Sequence, residues 1–162
     1  FRSIAVIFDF KISNLYHSIS FVLTASTAFS RVLTLMQVPQ TVSAWILAHF
    51  TNEIVLLIVI NVFLLIVGMV MDTTPAILIL SPILLPIVQS IGMNPIHFGV
   101  VMIVNLAIGF VTPPIGVNLF VASSLTDVPV MRIAKKAAPM IGYFLLALLI
   151  LTFVPAISLF LL

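Results

Sequence analysis

The chain has 162 residues, of which 63% are hydrophobic and 6% charged, and its formal net charge is +2. Six basic and four acidic side chains cannot give a soluble chain of this length a polar skin, and a mean hydropathy of +1.41 is that of a membrane protein. The small charge without a basic run excludes a nucleic-acid surface, and the lack of cysteine excludes disulfides, thiolate chemistry and cysteine metal sites.

The chain starts at Phe1, and its first ten residues do not have the pattern of a signal peptide. The expectation is a piece of a longer protein. Residues 1–13, with Arg2, Asp9 and Lys11, read as a polar approach to the membrane. Residues 14–36 form an apolar, Ser/Thr-rich segment long enough to span, since roughly 20 residues suffice. Pro39 opens a short amphipathic stretch over 40–50, too short to cross and suited to lie along the interface. Two apolar arms follow, 54–67 and 76–91. Each is about 15 residues, or roughly 22 Å of helix, short of a ~30 Å crossing. Two such arms with a polar tip fit a re-entrant hairpin; two full tilted helices are the alternative.

Asn94-Pro95 is a good helix start, with proline in the first turn. That helix is expected to run to Ile108, break over 109–114, and resume from Ile115 to about Leu125, crossing once with its break near the midplane. Beyond Asp127, residues 128–136 make a short amphipathic segment bearing Arg132, Lys135 and Lys136. Residues 139–162 form the last span. The positive-inside rule places the loop with these three cations in the cytoplasm and the C-terminus outside. Arg2 and Lys11 then fall inside as well, and Arg31 alone disagrees. It sits near the outer end of the first span, where it can snorkel or pair across a partner chain.

Two apolar stretches are cut in the same way, at 68–75 (Gly-Met-Val-Met-Asp-Thr-Thr-Pro) and 109–116 (Gly-Phe-Val-Thr-Pro-Pro-Ile-Gly). Proline removes an N–H and clashes with the preceding turn, so carbonyls at each cut lose their helical partner. In a bilayer such groups must face protein, an ion or a water-filled cavity. Paired broken segments of this kind point to the binding site of a secondary transporter.

The run Gly68-x-x-x-Asp72-Thr-Thr-Pro75 through Ser81-Pro82 and Pro86 resembles the large membrane subunit of the TRAP (tripartite ATP-independent periplasmic) transporters. So do Gly92-Met-Asn-Pro95-Ile-His-Phe-Gly99, the stretch from Asn105 through Gly109-Phe-Val-Thr-Pro-Pro-Ile-Gly116 to Asn118, and Phe153-Val-Pro155. The similarity covers nearly the whole chain and is that of the C-terminal half of the subunit. It implies an all-α polytopic membrane protein, the second inverted repeat of an elevator-type secondary transporter. Residues 1–50 would be a scaffold span with a horizontal arm, 53–125 the hairpin and broken helix of the moving domain, and 127–162 the cytoplasmic segment and last helix. The resemblance further implies sodium-coupled import of an organic acid anion, of the sialic acid or C4-dicarboxylate class, across a bacterial inner membrane. Its partners would be the N-terminal half of the subunit, a small membrane subunit and a periplasmic substrate-binding protein. No cofactor is expected beyond Na⁺ as coupling ion.

The candidate site residues are Gly68, Asp72, Thr73, Thr74, Pro75, Asn105, Gly109, Thr112, Pro113, Pro114, Gly116 and Asn118. Asp72 caps the second arm, lends charge to a sodium site, or is a water-exposed turn residue; the Asp-x-x-Pro spacing favours the cap. The hydroxyls of Thr73, Thr74 and Thr112, with the carbonyls of Gly68 and Gly109, offer the neutral oxygens sodium wants, although hydroxyls commonly bond to nearby backbone. Gly109 and Gly116 are alternatively close-packing positions, and Asn105 and Asn118 alternatively bond across helices. His17, His49 and His97 lack metal-ligand spacing. No basic residue lies near either break, so the anion would rest on backbone amides at half-helix N-termini and on groups from the other repeat.

An intramembrane enzyme would need a nucleophile with a base, an aspartate pair or metal ligands, whereas one Asp lies in the apolar part and no Gly-x-Ser-Gly run, His-Glu-x-x-His run or cysteine occurs. A passive channel built on carbonyls at broken helices differs from a carrier in that uptake would not follow a sodium gradient. A purely structural subunit leaves the two breaks unexplained.

Overall fold

The computed structural model describes residues 20–49, 52–114 and 116–160. The polar approach at 1–13, the start of the first span, Phe50 and Ile115 lie outside them. Eight helices follow one another among the described residues: α1 (Ser20–Leu35), α2 (Val38–His49), α3 (Glu53–Val70), α4 (Thr73–Ser90), α5 (Pro95–Gly109), α6 (Val117–Thr126), α7 (Val130–Phe153) and α8 (Pro155–Leu159).

α1 keeps its polar content compatible with an apolar surround by turning hydroxyls inward to its own backbone. Thr24, Thr27 and Thr34 each donate to the carbonyl four residues earlier, which satisfies the threonine donors. The chain then bends by 65° into α2 at Gln37, whose φ of 55° is left-handed. Pro39 sits in the first turn of α2, where a missing N–H costs nothing. The expected short helix after Pro39 is thus present, beginning two residues earlier than the sequence suggested.

α3 starts where Asn52 accepts from the backbone N–H groups of Ile54 and Val55, a side-chain cap for two orphan donors. Leu56, Ile60 and Leu64 recur every fourth residue on its buried face, and Phe98, Met102 and Leu106 do the same on α5. With Ala76, Leu84, Ile87 and Val88 of α4 these rows form the main core. The opposite face of α5 carries Val101 and Ile108 against Leu148 of α7. α5 is therefore the central helix. The outer face of α3 is apolar along its length and exposed, from Ile54 through Ile58, Val62 and Ile66 to Val70. Water would penalise such a face, whereas lipid does not.

Three boundaries differ from the sequence reading. α3 and α4 are 18 residues each, or about 27 Å, longer than the 15-residue arms expected. α4 begins at Thr73 and continues through Pro82 and Pro86, because in an apolar surround opening the helix would orphan more groups than the single N–H each proline lacks. The amphipathic segment after Asp127 and the last span are one helix, α7, of 24 residues running through Pro139. It stops at Phe153, and Pro155, lacking an N–H, opens the separate short helix α8. α3, α4 and α7 are each long and apolar enough to cross a membrane, and the bent α1–α2 pair qualifies together.

Glu53 at the start of α3 and Ile91, Gly92 and Asn94 at the end of α4 line one cavity of about 350 Å³. The start of α3 and the end of α4 thus lie near one another. Cysteines placed singly at Glu53 and Ser90 should accordingly react with an impermeant thiol reagent from the same side of the membrane. Labelling from opposite sides would mean an odd number of crossings between them.

Candidate functional site

The two interruptions of the sequence meet. A Cβ built on Gly109 would lie 2.6 Å from the carbonyl carbon and 2.7 Å from the Cα of Gly68, and one on Gly68 would lie 2.7 Å from the Leu106 carbonyl oxygen. No side chain fits between α3 and α5 here, so both positions must be glycine for the backbones to touch. About one turn earlier on α5 and two turns earlier on α3, the Asn105 side chain donates to the carbonyl oxygen of Asn61 (2.9 Å) and to its Oδ1 (2.7 Å). Asn61 pairs with Asn105 and Gly68 with Gly109, so the two helices run parallel. Their C-terminal ends arrive together.

That arrangement has an electrostatic consequence. Each helix C-terminus carries about half a negative elementary charge, expressed on carbonyls without helical donors. α3 ends at Val70, and the turn closes with only Met71 N–H to the Val67 carbonyl and Ala76 N–H to that of Asp72. The carbonyls of Gly68, Met69 and Val70 are left without a partner from their own helix. α5 ends at Gly109, beside them. The carbonyls of Leu106, Ile108, Gly109 and Phe110 already accept from the loop, so the free oxygens at this junction are mainly those of α3, while the amide ends of α4 and α6 begin just beyond.

At the first break, Asp72 stands at the N-cap of α4 but its carboxylate makes no cap bond to the backbone. It accepts instead from the Thr73 hydroxyl at 3.2 Å, and both Asp72 and Thr74 are exposed while Pro75 is buried. The spacing that suggested a side-chain cap thus fixes the helix start and not the bond.

At the second break, helix is absent from Phe110 to Gly116 among the described residues. The gap is wider than expected at its far end, with α6 starting at Val117. Thr112 donates its hydroxyl to the Ile108 carbonyl at 2.6 Å and its N–H to the Gly109 carbonyl at 3.0 Å. The Gly109 oxygen is therefore already half engaged, whereas the lone pairs of the Thr112 hydroxyl face away from its spent proton. Pro113 and Pro114 are exposed and joined by a cis peptide bond. Gly116 has φ 42°, and a Cβ there would come within 2.8 Å of the Thr112 carbonyl oxygen. It folds the loop back on itself, where Gly109 packs one helix on another. Asn118 is exposed; its backbone N–H, and not its side chain, bridges the gap by donating to the Phe110 carbonyl at 3.2 Å.

α7 sets the height of these features. Thr152 near its end meets the start of α5 through His97, and Arg132 and Ile133 near its beginning lie beside Thr126 at the end of α6. Ile108 and Val111, at the second break, share a cavity with Phe144 and Ala147, close to the middle of α7. The broken helix α5–α6 therefore runs antiparallel to a single continuous helix of about 36 Å, with its break, and the touching tip of α3, at mid-length.

Sequence reasoning passed over one part of the surroundings. The Asn61 Oδ1 that accepts from Asn105 is also within 3.5 Å of the Thr152 hydroxyl. Thr152 offers its carbonyl to His97 Nε2 at 3.2 Å, and His97 Nδ1 meets the Ser158 hydroxyl. These polar groups, buried except for the half-buried Ser158, connect α5 to α7 and α8, while α3 is reached from α7 only by the longer Thr152 contact, because that hydroxyl also donates to the Leu148 carbonyl at 2.8 Å. Asn61 and Thr152 lacked any motif; the one signal was an amide and a hydroxyl inside otherwise apolar helices. His97 proves to be a bonded core residue, as its lack of ligand spacing suggested. The Asn105 Oδ1 is buried without a partner, aimed into the same interior.

The glycine contact gives a direct test. Gly109→Ala drives a methyl into backbone, which cannot rotate away, and should destabilise the folded full-length protein by about 1–3 kcal/mol. Gly99→Ala, on the same helix with nothing within 4 Å of its Cβ, should be neutral or stabilising by up to about 1 kcal/mol. Denaturant unfolding of both variants measures the contrast.

The comparisons with known proteins agree with this picture. The family described as tripartite ATP-independent periplasmic transporter, DctM component, matches residues 7–157. The chain is 49% identical over 138 residues to the isethionate TRAP transporter permease protein DctMQ of Oleidesulfovibrio alaskensis, covering 85% of this chain and 22% of that protein. It is 40% identical over 139 residues to the C4-dicarboxylate TRAP transporter large permease protein DctM of Pseudomonas aeruginosa, covering 86% and 33%. For the Vibrio cholerae protein of the same description the identity is 37% over 138 residues, covering 85% and 30%. The chain thus spans between about a fifth and a third of the length of these relatives. These are permeases of the inner membrane and not enzymes. With helices that read as membrane-embedded and a family match over nearly its whole length, the chain belongs to the DctM, or large permease, family of the TRAP transporters.

Proposed function

We propose that this chain supplies the second, C-terminal inverted repeat of a TRAP large permease that imports an organic acid anion together with sodium. The observation that carries the reading is the Gly68–Gly109 contact, which joins the two helix breaks. It concentrates carbonyl oxygens and the Thr112 hydroxyl without a buried positive charge, a donor set suited to sodium. The re-entrant form of α3–α4 is supported by the position of its tip opposite the middle of α7.

Sodium at the joined carbonyl ends, with Thr73, Thr74 and Thr112 as further oxygen donors, would fix the hairpin tip to the broken helix. The amide ends of α4 and α6 would then receive the anion, with the remainder of its shell from the N-terminal half. Relatives are described for isethionate and C4-dicarboxylates, all small anions with strongly charged oxygens; sialic acid remains within the same chemical class. The whole transporter would include a small membrane subunit and a periplasmic substrate-binding protein, and the moving part would travel as an elevator carrying 53–125.

The carrier reading is tested on the full-length transporter in proteoliposomes. Thr112→Val keeps the side-chain shape and removes one oxygen. The sodium concentration for half-maximal uptake should rise several-fold at equal protein abundance; an unchanged value would remove Thr112 from the ligand set.

Orientation has its own test. A cysteine at Lys135 should react with an impermeant reagent from the cytoplasmic side alone, with the C-terminus outside. Reaction from the periplasmic side would invert the topology.

A further inference from the structure

A cavity of about 620 Å³ lies between α6 and α7, away from both breaks, and Arg132 and Lys136 line it. The two are four residues apart on α7, so their heads share one face of the helix. Among the described residues no carboxylate pairs with either, nor with Lys135, although Asp127 is close in sequence. The rest of the lining is small and apolar, Ala122, Val128 and Ala137 among it. The Thr126 hydroxyl is turned away to the Ala122 carbonyl. Next in sequence to the lining residues Thr126 and Arg132, Leu125 is 80% and Met131 65% exposed.

Unpaired cations beside an apolar recess, flanked by exposed aliphatic side chains at the end of membrane helices, ask for a ligand with an anionic head and an apolar body. We propose that this cavity is a headgroup site for an acidic phospholipid. The phosphodiester would sit between Arg132 and Lys136, and the acyl chains would run over Leu125 and Met131. A soluble anion would satisfy the two cations and leave those aliphatic side chains in water; a lipid satisfies both. Arg132 presents a planar fork that matches two phosphate oxygens, and Lys136 adds a compact charge. Basic pockets between membrane helices commonly hold such headgroups. The inference rests on membrane placement and not on the proposed transport cycle, so loss of transport does not bear on it.

The test uses the full-length transporter, purified in detergent and offered phosphatidylglycerol or phosphatidylcholine, with retained lipid counted by native mass spectrometry. The wild type should retain phosphatidylglycerol in preference to phosphatidylcholine. R132Q/K136Q should lower that retention roughly ten- to thirty-fold, whereas the charge-conserving R132K/K136R should keep most of it. K135Q, a cation outside the cavity lining, should change it less than about two-fold. Millimolar glycerol phosphate should not displace the lipid. Equal retention of the two lipids, an unaffected R132Q/K136Q, an equal loss in K135Q, or displacement by glycerol phosphate would each overturn the proposal. Should R132Q/K136Q fail to fold, the wild-type lipid preference and the glycerol phosphate competition decide it.

Discussion

In a bilayer no water satisfies a backbone group that its own helix has released. A membrane protein that breaks helices must therefore gather the released groups where something else can meet them. The contact of Gly68 with Gly109 does this. It brings the ends of α3 and α5 within van der Waals contact of one another, and the rest of the chain is arranged to hold that contact. The i, i+4 rows of Leu56, Ile60 and Leu64 on α3 and of Phe98, Met102 and Leu106 on α5 run alongside it. α4 closes one flank and α7 the other.

Apolar rows alone would not fix the register of two parallel helices in an apolar solvent, because sliding by one turn exchanges one leucine for another. The Asn61–Asn105 pair removes that freedom. It is fully buried, and a slip of one turn would leave amide groups unsatisfied at roughly 1–3 kcal/mol for each. Its link through Thr152 to His97 extends the same restraint to α7 and α8. The amide pair is thus a registry device, joined to the contact of the glycines by one turn of α5 and two turns of α3.

Much of this was legible in the residues. Glycine, threonine and proline inside apolar runs located both breaks, and Asn94-Pro95 located the start of α5, because those signals act through local backbone chemistry. The helix ends were less legible. Pro82, Pro86 and Pro139 do not end their helices, since in an apolar surround the alternative to a kinked helix is worse than the lost bond. α7 therefore runs as one helix where two segments were expected. The sequence reading set the two breaks in one site, but which atoms touch was not legible. That Gly68 touches Gly109, and Asn61 touches Asn105, depends on the parallel packing of helices separated by α4. A single sequence carries no trace of that pairing beyond the presence of small and amide residues.

The absence of side chains at the glycine contact also bears on how binding at one break would be felt at the other. A soft contact of long side chains can absorb a displacement by changing rotamers. Backbone against backbone cannot, because the neighbouring atoms are already at contact distance. Any ligand that draws the carbonyls of 68–70 inward would therefore move Gly109, and with it the loop that Gly116 folds against Thr112. That loop leads directly into the amide end of α6 through the Asn118 N–H and the Phe110 carbonyl. A cation held at the carbonyl ends would set the position of the amide ends that face an anion. On the proposed reading, coupling between two solutes would need no relay of side chains: the order of helix end, glycine contact, loop and helix start would supply it.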